Sequence, residues 1–217
     1  GRIIKTLGLT GRDDLFAALG QTFTEEEFDQ LCFDFGIELD DVTTKGEIAK
    51  NRELADAGAA ADAATVIYKI DLPANRYDLL CLEGLSRALL VFLGKREAPV
   101  FKVVEGGPGV ASQTRMTVKG DTKLVRPFVV AAVLRGVTLD QKAYNSFLDL
   151  QDHLHRNICR RRTLVAIGTH DLDSIQGPFT YEALPPEEIN FKHLFADKPM
   201  SGREMLDWFR TDPAGKN

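Results

Sequence analysis

Cysteine is scarce. Cys32, Cys81 and Cys159 are the only three in 217 residues, they lie far apart, and no C-x-x-C occurs. An odd, scattered set excludes a disulfide framework and offers no cysteine zinc or redox motif. Each sits in an apolar helical stretch and reads as small core filler of a reduced, intracellular chain. Long apolar runs are also missing, so nothing approaches the roughly 20 residues of a membrane-spanning helix. The opening "GRIIKTLGLT" is too short for a secretory signal. The expectation is a cytosolic protein with no membrane contact. Positive charge is not in surplus either: the formal net charge is -5. That argues against a free-standing nucleic-acid binder, which usually carries a basic domain, but leaves room for a local basic patch on a larger assembly. Finally, no G-x-S-x-G, H-E-x-x-H, Walker loop or dinucleotide fingerprint is present.

What is present is the grammar of packed helices and strands. Apolar residues make up 44% and charged residues 27%, enough of each for an ordinary core and surface. Asp13, Asp14, Leu15, Phe16 and Leu19 form a short helix stopped by Gly20. In "TFTEEEFDQLCFDFG", Thr24 and Glu27 have the spacing of a capping box, and Glu25 and Glu26 suit the positive end of the helix. Phe28, Leu31, Cys32 and Phe35 recur at i, i+3, i+4 and i+7, one buried face, before Gly36 ends the helix. Residues 43–64, small and charged, read as a solvated loop or insertion with partial helix. "TVIYKIDL" alternates as a strand that Pro73 ends. A helix follows with Leu79, Leu82, Leu85, Leu89 and Phe92 on its core face and Gly94 at its end. Asn75 and Asp78 are capping-type residues where it starts, and Arg76 beside Asp78 is an ion pair suited to a structural corner.

Residues 105–113, "EGGPGVASQ", are a turn-rich break, placed here as the boundary between domains 1–104 and 105–217. Beyond it "RMTV" and "RPFVVAAVLRGV" read as strands, the second apolar enough between Phe128 and Leu134 to be buried on both faces. Residues 140–158 are helical, with Phe147, Leu150, Leu154 and Ile158 on the core side. "GPFTYEAL" is another strand, and Ser201 with Glu204 is a second capping box opening a last helix. The irregular alternation makes the class α+β or mixed α/β.

The chemistry concentrates in "RRRTLVAIGTHDLDSI", residues 160–175. Leu164 to Ile167 read as a short buried strand. Arg160, Arg161 and Arg162, with Arg156 a turn earlier, form a compact cation after a helix C-terminus. That position favours cations structurally, and it also suits contact with RNA phosphate, which positions rather than specifies. His170 and Asp171 invite an acid/base or metal reading. Strand alternation sends neighbours to opposite faces, so no metal site and no complete catalytic constellation is assigned. Thr169 follows Gly168 at a strand's C-terminal end, where ligands of α/β sheets tend to bind. Alternatively, Thr169, Asp171 and Asp173 cap a turn.

Taken together, "LCFDFGIELDDV", "DLPANRYDLLCLEGLSRAL", "RPFVVAAVLRGV", "LQDHLHRNICRRRTLVAIGTHDLDSIQGPFTYEALPP" and "INFKHL" resemble the N-terminal part of the phenylalanyl-tRNA synthetase beta subunit, in its eukaryotic cytosolic and archaeal type. The resemblance runs from about Arg12 to about Arg210. It implies a small N-terminal α+β domain followed by the first part of a mixed-sheet editing domain, and an α2β2 heterotetramer whose alpha subunit holds the aminoacylation site for ATP and magnesium. No cofactor and no catalytic residue falls in this segment by that resemblance. Its residues would give scaffold, tRNA contact (Arg156, Arg160, Arg161 and Arg162) and walls of a pocket that hydrolyses mischarged tyrosyl-tRNA (Thr169, His170 and Asp171). Editing is needed because a hydrophobic pocket rejects an added hydroxyl by only about a hundredfold. Two other readings stay open: a free-standing tRNA-binding or trans-editing module of the same ancestry, and an independent hydrolase built on His170 and Asp171.

The capping box has a direct consequence. Thr24→Ala removes the side-chain acceptor of the helix 25–35 start and is expected to cost about 1 kcal/mol of unfolding free energy, read from the shift of the urea midpoint.

Overall fold

A computed structural model describes residues 5–51, 63–103, 115–193 and 196–211. Most of the small-residue stretch 53–64 and all of the break at 105–113 lie outside the described residues. The chain divides into two compact units, Gly1–Phe101 with Thr138–Gly168, and Lys102–Val137 with Thr169–Asn217.

The first unit is built on a three-stranded antiparallel sheet in the order β1–β3–β2, where β1 is Lys5–Gly11, β2 Glu38–Thr44 and β3 Val66–Pro73. β3 is central: Tyr68 stands opposite Thr10 and Val42, and Ile70 opposite Gly8 and Leu39. The register with β2 shifts between Leu39 and Asp41. Tyr68, Ile70 and Leu72 alternate into the core, as a half-buried strand requires. Two strands escape the sequence pattern. β1 carries two glycines and β2 two adjacent aspartates, and both are edge strands. Edges tolerate polar residues because one side of the ladder faces water.

Helices α1 (Arg12–Leu19) and α2 (Glu25–Phe35) cover the sheet. Both expected stops hold, with Gly20 and Gly36 left-handed at φ 69° and 92°. The α2 capping box closes in both directions: Thr24 N–H donates to Glu27 Oε2 at 2.8 Å, and Glu27 N–H to Thr24 Oγ1 at 3.2 Å. Helix α3 (Lys45–Asn51) is the helical part of the expected insertion. The core joins Leu15, Phe16, Leu19, Phe28, Leu31 and Cys32 to Tyr68, Ile70, Leu72, Leu85 and Leu89. The Phe28 and Tyr68 rings stack with centroids 4.9 Å apart. Burial pushes the Cys32 thiol up to about 12, with Asp29 adding to the effect, so Cys32 is inert filler at neutral pH.

Helix α4 (Leu82–Phe92) starts later than its leucine pattern suggests, after a 3-10 turn at Tyr77–Leu79. Its N-cap is Cys81, whose Sγ accepts from Gly84 N–H at 3.4 Å, so the capping role falls to neither Asn75 nor Asp78. The cause is close backbone packing: a Cβ on Gly84 would lie 1.8 Å from the Asp78 carbonyl oxygen. Helix α5 (Gln141–Arg156), capped by Asp140, packs back on this unit, with Leu150 against the core and Ser146 Oγ donating to Glu83 Oε2 at 2.7 Å.

In the second unit β4 (Met116–Val118) pairs in parallel with β5 (Phe179–Tyr181), and β6 (Asn190–Phe191) pairs antiparallel with β7 (Met200–Ser201). Helix α6 (Gly202–Thr211) follows, with the Ser201–Glu204 capping box formed. The buried imidazole of His193 lies 5.0 Å from the Trp208 ring, centroid to centroid. The architecture is α+β, as the sequence pattern implies. Two expected strands are corrected. Residues 126–136 and 164–167 join no ladder, and Phe128, Val130 and Leu134 are 90%, 97% and 76% exposed. Their apolar runs record a demand for burial that no other described residue meets.

Gly84→Ala separates helix propensity from packing. Alanine favours a helix by about 1 kcal/mol, yet here its methyl would meet a carbonyl oxygen. The expected net result is destabilisation by roughly 1–3 kcal/mol, seen as a lower urea midpoint at unchanged slope.

Candidate nucleic-acid interface

Arginines 160, 161 and 162 do not continue helix α5. The helix ends at Arg156, and the chain enters a turn in which Arg160, Arg161 and Arg162 have φ of 49°, 54° and 65°. Three successive side-chain-bearing residues in the left-handed region cost on the order of 1–2 kcal/mol each. The turn is held by local bonds: Arg160 N–H donates to Asn157 O at 3.0 Å, Leu164 N–H to Cys159 O at 3.2 Å, and Thr163 Oγ1 to Arg160 O at 2.6 Å. All three arginine side chains are exposed. Arg156 pairs with Asp152 at 2.8 Å, and Arg162 lies 4.0 Å from the same carboxylate. Among the described residues Arg160 and Arg161 make no ion pair. The result is a cationic knuckle beyond the negative end of a helix, with two guanidiniums available to an anion.

The knuckle is pinned from below by His155, only 2% exposed. Ile167 N–H donates to His155 Nε2 at 2.8 Å, and Arg162 Nε–H points at His155 Nδ1 from 3.1 Å. A neutral imidazole has one acceptor nitrogen, so it satisfies one of these donors at a time. A protonated ring satisfies neither. Burial, and then the Arg162 charge, hold the His155 pKa below its ordinary 6.5. In the sequence His155 stands beside the basic run without a role of its own, although its position extends the stripe through Phe147, Leu150 and Leu154 that marks the buried side of α5.

Thr169, His170 and Asp171 are exposed and lie outside helices and strands. Asp171 caps the short 3-10 turn Leu172–Ser174 by accepting from Asp173 N–H at 3.1 Å. The corner residues meet as a bidentate pair, Arg76 Nε and Nη2 donating to Asp78 Oδ1 and Oδ2, each at 2.9 Å. Arg76 also lies over the Phe35 ring, 5.7 Å from its centroid, and holds the Asp78 carboxyl below the usual range. Asn75 is exposed. Among the described residues no group of three or more His, Cys, Asp or Glu is placed to hold a metal ion, and no helix is long and apolar enough to cross a membrane.

Known proteins place this architecture. The family model described as the Phe-tRNA synthetase beta subunit B1 domain matches residues 6–95. A cytoplasmic phenylalanine–tRNA ligase beta subunit of Arabidopsis thaliana is 56% identical over 93% of this chain and 33% of that protein. The Homo sapiens phenylalanine–tRNA ligase beta subunit is 50% identical, with the same two coverages. A crystal structure of an N-terminal fragment of the phenylalanyl-tRNA synthetase beta subunit from Pyrococcus horikoshii superposes with a TM-score of 0.75, at 26% identity, over 97% of this chain and 54% of that one. The proteins matched are of one class, the beta subunits of an aminoacyl-tRNA synthetase. More particularly, residues 6–95 match the B1 domain of the phenylalanine–tRNA ligase beta subunit, and the chain as a whole is similar to the N-terminal region of that subunit. It spans about a third of the length of the curated relatives it matches.

The His155 clamp makes the knuckle sensitive to acid. With the folded pKa below 6.5, the neutral ring's contribution is complete above pH 6.5 and is lost as pH falls toward the folded value. Hydrogen exchange at the Ile167 amide should therefore gain an acid-dependent opening component as pH drops below 6.5, after correction for the intrinsic exchange rate. His155→Gln should remove that component.

Proposed function

We propose that this chain acts as the N-terminal part of the beta subunit of phenylalanine–tRNA ligase, giving the assembly scaffold, a tRNA contact and the first part of an editing domain. In this reading residues 1–104 are the N-terminal domain, with helix α5 packed back on the first compact unit, and 105–217 begin the domain that hydrolyses mischarged tyrosyl-tRNA. The partner is the alpha subunit of an α2β2 heterotetramer in the cytosol. That subunit carries the aminoacylation site, with its ATP and magnesium. Thr169, His170 and Asp171 contribute to the walls of the editing pocket. The ester to be cleaved is already activated, so a positioned water and oriented dipoles suffice there. Arg76 and Asp78, with Asn75 beside them, are a structural corner.

The observation that carries the RNA part is the exposed left-handed knuckle of Arg160 and Arg161. Backbone strain of this kind clusters at functional sites, and guanidiniums outside any ion pair suit phosphate. Each neutralised phosphate contributes roughly 0.9 to the slope of log K against log salt for a duplex. Filter binding of the phenylalanine-accepting tRNA across a salt series is the test. The double substitution Arg160→Ala and Arg161→Ala should weaken binding and flatten that slope by about 1–2. An unchanged slope would remove the knuckle from the interface.

A further inference from the structure

His155 stands at the end of α5 with its ring buried, and two donors converge on it. The Ile167 N–H meets Nε2 at 2.8 Å, and the Arg162 Nε–H meets Nδ1 at 3.1 Å. His155 precedes the three left-handed arginines and Ile167 follows them, so the bond to Nε2 ties the two ends of the turn together. The other backbone ties are shorter. Those from Arg160 N–H to Asn157 O and from Leu164 N–H to Cys159 O reach three and five residues along the chain, whereas His155 reaches twelve. The charged groups acting on the ring are Arg162, from the turn, and Asp152, from its own helix, which Arg156 holds at 2.8 Å.

This tie works against strain. Arg160, Arg161 and Arg162 hold positive φ, which residues with side chains rarely adopt, and such a segment persists only while its surroundings impose it. Protonation of His155 removes the imposition. An imidazolium has two N–H donors and no acceptor, so it meets the Ile167 N–H donor to donor and the Arg162 guanidinium with like charge. Burial and the Arg162 charge keep the ring neutral at neutral pH, and its proton is taken up only below the ordinary 6.5. The cluster therefore has two arrangements: a neutral ring with the turn tied, and a charged ring with the turn released.

We propose that His155 is a positioning residue for RNA, and that its protonation releases the arginine turn and lowers the affinity of that turn for phosphate. This rests on the RNA contact proposed for Arg160 and Arg161. The sign is the distinguishing feature. A histidine that gains a proton adds positive charge and ordinarily strengthens attraction to a polyanion. The exposed His170 and the half-buried His153 act in that ordinary direction. His155 acts in the opposite one, because its charge forms behind the turn and undoes the geometry that presents the guanidiniums. Acid then weakens the contact by loosening it, while every arginine keeps its charge.

The test is filter binding of the phenylalanine-accepting tRNA to the intact polypeptide at fixed salt, from about pH 7.5 to about pH 5.5, where histidine titrates. Binding should weaken severalfold as the pH falls, and the slope of log K against log salt should flatten by about 1–2 over the same range. The fall should set in at the titration midpoint of the His155 ring, followed by nitrogen NMR shifts in the protein without RNA. His155→Gln offers Ile167 N–H an acceptor that takes up no proton, so its binding should stay level or rise toward acid pH. Binding that strengthens or stays level on acidification of the unsubstituted protein would overturn the proposal. So would a fall that survives in His155→Gln, or a ring midpoint apart from the onset of the fall. The ring midpoint decides by itself where His155→Gln does not fold. Absence of salt-dependent binding at about pH 7.5 is a different failure: it removes the RNA contact of Arg160 and Arg161, and this proposal with it.

Discussion

The first unit depends on the inward row of β3. Tyr68 and Ile70 are buried in the core while their backbone is laddered on both sides, to β1 and to β2, and Leu72 continues the row against β1. Every other core element packs on that row or closes around it. Tyr68 contributes most, because its ring stacks on Phe28 and meets Phe16 edge-on at 6.0 Å. Aromatic pairs of this kind add about 0.5–1.5 kcal/mol beyond the area they bury.

The legible parts of the sequence were those whose signals are local. Capping boxes at Thr24 and Ser201, left-handed glycines at 20 and 36, and the spaced apolar residues of α2 all act within a turn or two of themselves. Strand β3 was legible because its alternation is strong. Strands β1 and β2 were not, since an edge strand needs a partner to exist and shows little of that need in its own composition. The ribbon at 126–136 failed the other way. Its composition asks for burial on two faces, but pairing is a property of the neighbour, and none of the described residues supplies it. The late start of α4 follows from a contact between the backbones of Gly84 and Asp78 that no periodicity encodes.

The functional stretch divides along the same line. The cation at 160–162 was visible as composition, whereas its geometry was not. A run of arginines after a helix reads as a continuing helix end, favourable to the dipole. Only the backbone reveals three left-handed residues, which turn the side chains outward instead of along the helix. His155 explains how the turn is tolerated: a buried ring receives Ile167 N–H, so the chain returns to the helix within twelve residues and the strained segment is closed at its base. In the sequence His170 and Asp171 invited an acid/base reading without a complete constellation to support it. In the structure Asp171 spends its carboxylate on a turn cap, which is the plainer of the two roles open to it.

The acidic balance of the chain is compatible with the RNA contact proposed for the knuckle, because charge acts over a limited range. At physiological salt the screening length is about 8 Å, so carboxylates farther away than that barely oppose a phosphate at Arg160 or Arg161. What matters is the local sum. Asp152 neutralises the Arg156 side of the patch and lies within 4.0 Å of Arg162, leaving the tip of the turn as its most positive part. The net charge of -5 therefore speaks to how the whole chain behaves in solution, namely against indiscriminate adhesion to nucleic acid. The proposed contact, confined to one strained turn, would be selective in consequence: it would add affinity only once other parts of an assembly had brought the correct phosphates into reach.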